Sequence, residues 1–382
     1  MRIKKKDIIF EERVKSRMDI PKEIQNLYDL FRKNGSELYV VGGAVRDTLL
    51  DKPIKDYDLA TDLPAPKVAK LLDDNGIKNI GTGAAFGVIN AFIGDEEYEI
   101  ATFREDSKEG DGRRPDSVTF TDIETDVKRR DLTINALFYD IGTKEIVDLV
   151  GGIDDIKNGV VRTVGEPKER FGEDRLRILR AIRFAARVGS KLDHSIDKQL
   201  KADSSLEGIS SERIRDEFIK GIKSAKSIKL FLSLLDRYGL FDWVFKGLSP
   251  INKNFPESSD EILVIATLLG GVPYDKITKG LNKLTYSANE VKQVTFLLSF
   301  YQIFEESTFY PLKKLHLNSK VPNDTFRAFA NEVDIDINLV NRFIKFNLSV
   351  TGDQVKQQFG IEAGPEMGAK IKELETQMFF DS

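Results

Sequence analysis

Short apolar runs alternate with amphipathic helical patterns along the first third of the chain. One apolar run, residues 37–41, ends at Gly42 and Gly43, and helical spacing follows over residues 44–50. The same patterns predict the other elements of this region, namely strands at 57–60, 85–92 and 97–103 and a helix at 64–75. The first part of the chain is therefore predicted to be a sheet with helices packed on it.

After about Val164 the pattern changes to successive amphipathic helices, and no strand is predicted there. A turn-rich stretch at 248–261 interrupts these helices. Residues 104–115 (REDSKEGDGRRP) are charged, contain glycine and lack periodicity, so they are predicted to form a mobile loop. The patterns predict an α+β protein with a small N-terminal sheet and an all-helical remainder.

Composition narrows the chemistry that the chain can support. With 382 residues, 41% of them hydrophobic, it is long enough for several folding units. It has no cysteine and two histidines, which excludes disulfides and thiolate or histidine-rich metal sites, so a catalytic metal ion would have to bind carboxylates. No stretch reaches the roughly 18 uncharged apolar residues of a membrane span, and we expect a cytoplasmic protein without a membrane segment.

Charge is unevenly distributed along the chain. The net charge of −4 argues weakly against a nucleic-acid partner, because phosphate binding normally needs an excess of Lys and Arg. Residues 162–187, however, contain eight Lys or Arg against four Asp or Glu. A basic stripe of this kind can bind RNA locally on an acidic protein.

Asp56 and Asp58 stand two residues apart in KDYDLA, within a predicted strand. Alternate side chains of a strand point to the same face, so both carboxylates would face one metal ion. Glu99, in another predicted strand, would add a third carboxylate if the two strands are neighbours. Such oxygen ligands suit Mg²⁺, and two Mg²⁺ ions can promote phosphoryl transfer. The alternative is a pair of solvated surface aspartates.

Gly42 and Gly43 lie between a predicted strand and a short predicted helix. Glycines there let backbone N–H groups approach a phosphate chain, and the helix N-terminus favours negative charge. Arg46, on that helix, is a predicted triphosphate ligand; an ordinary tight turn with a surface arginine is the alternative. The run matches neither a Walker loop nor a dinucleotide-binding glycine motif, so kinase and dinucleotide functions lack their signatures.

The run RRDLTINA contains side chains suited to a nucleotide. Arg129 and Arg130 present guanidinium groups that bind phosphate oxygens, and Asp131 can accept a hydrogen bond from a ribose hydroxyl. Asn135 is predicted to support the nucleotide site by holding the local turn. An interdomain cluster of salt bridges is the alternative.

The run EDRLR contains Glu173, Asp174 and Arg177, which would share one arc of a single helix. Cytosine and adenine both present an amino donor beside a ring-nitrogen acceptor. A carboxylate accepts from the amino group and a guanidinium donates to the ring nitrogen, so Asp174 and Arg177 complement both bases. Uracil and guanine reverse this pattern and leave buried groups unpaired. The alternative is a surface Glu–Arg pair of little energetic value.

Three further arginines lie on the same side of the predicted helix as Arg177. We assign Arg180 to the nucleotide, and Arg183 and Arg187 to phosphate groups of an RNA. A solvated helix face is the alternative.

The motifs occur in a recognisable order: GGAVRD followed by DYD, then RRDLTINA, DLVGGIDD, EDRLRILRAIRF and SSERI. This order resembles the class II tRNA nucleotidyltransferases of the polymerase-β-like nucleotidyltransferase superfamily. The run TGDQVKQQFGIEAGPEMG looks like the tail of the bacterial enzymes, so the resemblance covers nearly the whole chain. One departure is Arg175, where relatives often have proline, and we expect a looser helix start there.

The resemblance implies a catalytic head at 1–140, a base-recognising neck at 141–205, a helical body at 206–290 and an RNA-binding tail at 291–382. It implies an enzyme that uses Mg²⁺, CTP and ATP to restore the 3′-terminal CCA of tRNA, with contacts to the acceptor stem. The family gives the residues matching Asp174 and Arg177 the role of template, with Glu173 orienting the arginine. The oligomeric state is left open.

Three other functions are compatible with some of these motifs. A bacterial poly(A) polymerase shares the head and neck motifs, although DGRRP resembles the CCA enzymes more closely. An enzyme that adds only A, from a divided CC and A pair, also fits. A non-catalytic RNA-binding protein is disfavoured because the metal-binding and base-reading residues are present.

Overall fold

The computed structural model describes residues 11–83, 87–106 and 118–381, and it divides the chain into two compact units, Met1–Gly208 and Ile209–Ser382. The first unit is built on a sheet and the second on helices, so the α+β class predicted from the sequence is confirmed. The four predicted domain boundaries stay a prediction.

The first unit contains an eight-stranded sheet in the order β1-β10-β9-β2-β3-β6-β5-β4. Strand β3 pairs antiparallel with β2 and parallel with β6. Two short pairs, β7 with β8 and β11 with β12, lie outside this sheet. The strands are β1 (Glu12–Lys15), β2 (Leu38–Val41), β3 (Asp58–Thr61), β4 (Lys78–Gly83), β5 (Val88–Ile93), β6 (Glu96–Thr102), β7 (Arg104–Asp106), β8 (Val118–Phe120), β9 (Leu137–Asp140), β10 (Glu145–Asp148), β11 (Val160–Val161) and β12 (Lys191–Leu192).

The central strand β2 explains why the sheet is covered on both faces. All four of its residues are buried, and because alternate side chains point to opposite faces, they divide between two cores. Leu38 and Val40 join one core, and Tyr39 and Val41 join the other. Asp58, a predicted metal ligand at the start of β3, stands opposite Val41 and therefore lies on the same face of the sheet as Tyr39 and Val41.

Helices of the first unit pack by the apolar stripes that the sequence shows. In α1 the buried residues are Ile24, Leu27 and Phe31, which recur at helical spacing. The helices are α1 (Lys22–Lys33), α2 (Gly43–Leu49), α3 (Ala65–Asp74), α4 (Ile123–Asp126), α5 (Gly152–Asn158), α6 (Pro167–Glu173), α7 (Leu176–Val188) and α8 (His194–Ala202). Short 3₁₀ turns at Val127–Arg129 and Thr133–Asn135 connect the RRD segment to the sheet.

Strand β10 pairs with β9, so the sheet continues to Asp148. The structure departs from the sequence predictions in two places. Arg104–Asp106, the first part of the predicted mobile loop, forms strand β7 against β8; residues 107–117 lie outside the described part of the chain. A two-residue strand, β12, occurs beyond Val164, where none was predicted; it pairs in parallel with β11. Residues 84–86, which include the first two residues of the strand predicted at 85–92, also lie outside the described part of the chain.

The regular elements in the described part of the second unit are helices. Helix α12 is apolar and buried along nearly its whole length, as expected for a central helix. The second unit has an aromatic core. At its centre the rings of Phe296, Phe300, Phe326 and Phe343 pack edge to face or stacked. The helices are α9 (Ser211–Ser224), α10 (Ile228–Arg237), α11 (Phe241–Val244), α12 (Glu261–Leu268), α13 (Tyr274–Lys283), α14 (Ala288–Ile303), α15 (Phe309–Ser319), α16 (Asn323–Glu332), α17 (Ile337–Lys345), α18 (Gly352–Phe359) and α19 (Pro365–Phe380).

Candidate functional site

Asp58 and Glu99 are brought together by the parallel pairing of β3 and β6. Leu59 stands opposite Ile100, so one residue earlier Asp58 stands beside Glu99, and both residues reach solvent. The condition that the sequence set for Glu99, neighbouring strands, is therefore met. Asp56 lies before β3 rather than within it, so strand alternation does not orient it and that part of the prediction is wrong.

The three carboxylates interact electrostatically. Desolvation by the surrounding protein raises the pKa of Asp58, and the negative charge of Asp56 raises it further, while Arg130 opposes both effects. Desolvation also raises the pKa of Glu99, with the Asp58 charge as the next cause. Like charges held together in this way are relieved by a cation, so the donor set suits a hard divalent ion. Within residues 11–83, 87–106 and 118–381, however, no group of three or more acidic or histidine side chains is already arranged to hold a metal ion.

The turn before α2 depends on glycine. Gly42 has φ of 68° and ψ of −117°, a conformation that is strained for side chains other than glycine. Its N–H donates to the Leu137 carbonyl at 3.0 Å, which fixes the turn against β9. Helix α2 then begins at Gly43, so the two glycines lie where the sequence predicted, at a strand end that leads into a helix.

Arg46 is buried, and its guanidinium lies over the ring of Phe184 on α7. It also forms hydrogen bonds within the chain. Its guanidinium donates to Asp47 at 2.9 Å and to the side-chain oxygen of Asn135. The Nδ2 of Asn135 is buried and has no hydrogen-bond partner among the described residues. Arg46 thus orients Asn135, a role beyond the predicted one, and its contact with a triphosphate stays a prediction.

Asp126 joins the two arginines of the RRD segment, and sequence reasoning missed it. Its Oδ1 accepts from Arg129 Nε at 2.8 Å, and its Oδ2 accepts from Arg130 Nε and Nη2 at 3.1 and 3.0 Å. Oδ1 also accepts from the backbone N–H of Arg104, at the start of β7, at 3.1 Å. The spacing of an acid three and four residues before two arginines was the available signal. Asp126 therefore links both arginines to the strand that leads into residues 107–117.

Asp131 is bonded to a residue of α7. Its Oδ2 accepts from Arg180 Nε at 2.7 Å and its Oδ1 accepts from the Leu132 N–H at 2.8 Å. Burial alone would raise the pKa of Asp131, but the Arg180 guanidinium and these hydrogen bonds lower it. The carboxylate is therefore held ionised, in the state that would accept a ribose hydroxyl.

The EDRLR segment is not one helix, contrary to the sequence prediction. Glu173 is the last residue of α6, and α7 begins at Leu176. Between them Asp174 is extended (φ −149°, ψ 107°), and its Oδ1 accepts from the Leu176 N–H at 3.0 Å. Asp174 competes with the helix for this backbone donor, which is why an aspartate ends one helix and starts the next.

Arg177 is held from two sides despite the helix break. Its Nη1 donates to Glu173 Oε2 at 2.6 Å, and its Nη2 donates to the Arg129 carbonyl at 3.1 Å. The other oxygen of Glu173 pairs with Arg170 at 2.7 Å. Glu173 orients Arg177, and Arg177 connects the EDRLR segment to the RRD segment.

Phe184, on α7, lies under a group of arginines. The guanidinium carbon of Arg183 is 4.2 Å from the centre of the Phe184 ring, that of Arg46 is 5.0 Å away, and that of Arg180 is 5.8 Å away. Arg183 is buried at 7% exposure, and its RNA contact stays a prediction. Arg187 pairs with Asp47 at 2.9 Å, and its RNA contact stays a prediction.

Comparisons with known proteins show the family of the chain. Residues 38–162 match the family model of the poly A polymerase head domain, and residues 198–251 match that of a probable RNA and SrmB-binding site of polymerase A. A CCA-adding enzyme of Lactobacillus helveticus is 36% identical over 283 residues, 72% of this chain and 70% of the relative. One of Streptococcus suis is 30% identical over 94% of this chain and 93% of the relative. The chain belongs to the CCA-adding enzyme family.

Solved structures of this family share the fold. The Bacillus stearothermophilus CCA-adding enzyme, solved in complex with CTP, has a TM-score of 0.73 and 25% identity over 94% of this chain and 93% of that one. The Thermotoga maritima CCA-adding enzyme, solved with tRNA, has a TM-score of 0.66 over 95% of this chain and 93% of that one, and at 20% identity it supports the fold alone. The class II resemblance inferred from the motifs is confirmed.

No helix in the described part of the chain has the length and apolar character of a membrane span. The cytoplasmic location stays a prediction.

Proposed function

We propose that this member of the CCA-adding enzyme family transfers CMP, CMP and AMP in turn from CTP and ATP to the 3′ end of tRNA. Each transfer joins the 3′ hydroxyl to the α-phosphorus of the incoming nucleotide and releases pyrophosphate. One observation carries the proposal: Arg130 lies over the Phe138 ring, and Phe138 and Asp58 stand on either side of Val41 on one face of the sheet. A group suited to phosphate thus lies on the same face as one suited to a metal ion, and its charge opposes the rise in the pKa of Asp58.

The sheet explains this juxtaposition. Arg130 lies over the Phe138 ring at 4.7 Å, Phe138 stands opposite Val41 in the sheet, and Val41 stands opposite Asp58. All three side-chain positions are on the same face, so the arginine reaches across the end of β2 toward the carboxylates. This is the arrangement that phosphoryl transfer needs, in which charge on the phosphate is met from both sides.

Asp58, Glu99 and Asp56 are the residues that would hold the metal, which we propose to be Mg²⁺. Bound there, Mg²⁺ would lower the pKa of the attacking hydroxyl and steady the pyrophosphate leaving group. The pairing of β3 with β6, which places Asp58 beside Glu99, supports the assignment. The family relation supports metal dependence in general.

The arginines of the site would bind the triphosphate and the bases would be read by Asp174 and Arg177. Arg129 and Arg130 are kept in place by Asp126, and Arg183 is buried beside Phe184, where a nucleotide phosphate is a better-placed partner than surface RNA. The hydrogen bonds of Arg177 to the described residues use three of its five N–H donors at most. The others remain to address a ring nitrogen of cytosine or adenine.

The test is incorporation into a tRNA that lacks its 3′ CCA. The purified chain is incubated with this tRNA, Mg²⁺, and CTP and ATP separately and together, and the products are resolved to single nucleotides. The proposal expects two residues with CTP alone and three with both. The acceptor-stem contact is tested by repeating the assay on a minihelix that keeps only the acceptor and T arms.

Each other function gives a different product pattern. A long homopolymer with ATP would indicate a poly(A) polymerase. Extension only of a tRNA that already ends in CC would indicate an A-adding enzyme. Binding without extension would indicate a non-catalytic RNA-binding protein.

A further inference from the structure

Phe184 is surrounded by positive charge although its own side chain is apolar. It is 6% exposed and lies on α7, and three guanidinium groups lie within 6 Å of its ring centre. Arg180 is one helical turn before it, Arg183 is its neighbour in sequence, and Arg46 reaches it from α2. An ordinary core phenylalanine is packed by apolar groups, so this environment needs a reason.

Bringing these arginines together is electrostatically costly. Burial lowers the pKa of Arg46, and the positive charges of Arg187 and Arg183 lower it further, while Asp47 opposes them. The ring of phenylalanine carries partial negative charge on its faces and attracts cations, an interaction that strengthens when water is excluded. An aliphatic side chain of similar size would fill the space without this attraction.

We propose that Phe184 is a positioning residue that holds Arg46, Arg180 and Arg183 in place for the triphosphate of the incoming nucleotide. The inference rests on the proposed function, because it takes a nucleoside triphosphate as the anion. Two helices supply the arginines, and the ring is the element that they share. Arg180 also donates to Asp131 at 2.7 Å. Displacement of the Phe184 ring would therefore also change the position of Asp131 in the RRD segment.

The position of the ring predicts which step it affects. Phosphates are common to all four nucleotides, so loss of the ring should weaken triphosphate binding without changing base preference. Asp174 and Arg177 lie one or more helical turns away from Phe184 along the chain and carry the base contacts. The inference therefore separates affinity from selectivity, which general loss of folding would not do.

The first experiment compares Phe184→Leu with Phe184→Trp in the full chain. We measure binding of Mg²⁺–pyrophosphate by calorimetry and KM and kcat for CTP and ATP. The Phe184→Leu change should weaken pyrophosphate binding and raise both KM values by on the order of tenfold, with a smaller change in kcat and an unchanged preference over UTP and GTP. Trp, with a stronger cation-binding face, should retain most of the affinity. Phe171→Leu, at a phenylalanine buried in α6, is the matched control and should leave pyrophosphate affinity unchanged.

The second experiment removes the charge on the ring faces and keeps the shape. Phenylalanines with one, two and three ring fluorines are introduced at position 184, and pyrophosphate affinity is measured for each. A stepwise fall with fluorination supports the inference. An affinity that is insensitive to fluorination overturns it, as does equal weakening in the Phe171→Leu control. Pyrophosphate binding is measured without turnover, so it tests the role of Phe184 separately from the extension assay. Failure of the wild-type chain to extend tRNA would contradict the proposed function and would not change the measured pyrophosphate affinities.

Discussion

Arg175 and Asp203 form a two-bond ion pair, with Nη1 to Oδ1 at 3.1 Å and Nη2 to Oδ2 at 3.0 Å. Arg175 Nη1 also donates to the Ser205 carbonyl at 2.8 Å. Arg175 stands between Asp174 and the first residue of α7, and Asp203 follows the last residue of α8. The pair therefore ties the start of the base-reading helix to the end of the next helix, where a looser start was expected from the sequence.

Arg175→Ala should lower kcat/KM for CTP and ATP alike, by about three- to tenfold, because Asp174 loses its fixed neighbour. Arg175→Lys keeps the charge but cannot form two parallel bonds, so it should give an intermediate loss. Steady-state kinetics with both nucleotides check this. Asp203→Ala should reproduce the effect, and the double variant should lose little more than either single one. Wild-type kinetics in Arg175→Ala would contradict the positioning role.

Asp126→Ala should slow incorporation of every nucleotide by a similar factor, on the order of tenfold or more, because Arg129 and Arg130 both lose their shared carboxylate. Asp126→Asn keeps the shape of the side chain and one acceptor oxygen, so its incorporation rate should lie between those of wild type and Asp126→Ala. The check is single-turnover extension with saturating tRNA. A variant of Asp122, the exposed aspartate that caps α4, is the control for local helix stability and should show nearly wild-type rates. Equal losses in both would show that the effect is on folding.

His316 should make the stability of the protein depend on pH below neutrality. Burial in the second unit, with a smaller effect of Lys313, lowers the pKa of His316 to about 4, against about 6.5 when unfolded. The unfolded chain then binds the proton first, so stability is complete above pH 6.5 and falls as the pH drops toward 4, by at most about 3 kcal/mol. Denaturant unfolding between pH 7 and 5 should show a larger loss of stability at low pH in wild type than in His316→Phe. His194→Gln, at an exposed histidine, should keep the larger loss.

Because of the carboxylates of Asp56, Asp58 and Glu99, the folded protein should be less stable without a divalent cation than with one. Because desolvation and Asp56 raise the pKa of Asp58, the folded chain binds its proton more tightly than the unfolded chain, and ionisation at neutral pH opposes folding. Asp58→Asn should therefore raise Tm in EDTA, and Mg²⁺ should raise the Tm of wild type but not of this variant. Scanning calorimetry measures both.

In extension assays, Asp56→Ala and Asp58→Ala should abolish incorporation of CMP and AMP while tRNA binding is retained; substantial activity in Asp56→Ala would rule out the metal assignment.

The sequence was informative where a local pattern specifies the structure. Strand β2 and the glycine turn that follows it have a strong local signal, because a buried strand followed by glycine and a helical pattern has few other interpretations. The order of motifs identified the family. The pairing of Asp58 with Glu99 needed only the adjacency of two strands that were both predicted.

What the sequence missed depends on contacts between distant segments. The break at Asp174 arises because its side chain bonds the Leu176 N–H, and periodicity does not register that competition. Arg183 looked like a surface arginine by its spacing, yet it is buried on Phe184 next to Arg46 from a different helix. No pattern along α7 could reveal an approach from α2.

Base choice should depend on Arg177 and Asp174 and not on Arg130. Arg177→Ala removes the donor that would face the ring nitrogen, a loss of about 1–3 kcal/mol in discrimination, so preference for CTP and ATP over UTP and GTP should fall about 5- to 150-fold. Asp174→Ala should act similarly by leaving the base amino group without an acceptor. The structure adds a complication, since Asp174 also bonds the Leu176 N–H at 3.0 Å. Asp174→Asn keeps that bond and should lose base preference with less loss of stability.

Arg130→Ala is the contrasting variant, because a phosphate contact carries no information about the base. It should slow all four nucleotides by a common factor and leave their ratios unchanged. Incorporation of each nucleotide is measured separately for the four variants and wild type at matched salt, so that differences in tRNA affinity do not enter the comparison. If Arg177→Ala keeps the wild-type preference while Arg130→Ala alters it, the base-reading role belongs to the RRD segment and not to the junction of α6 and α7.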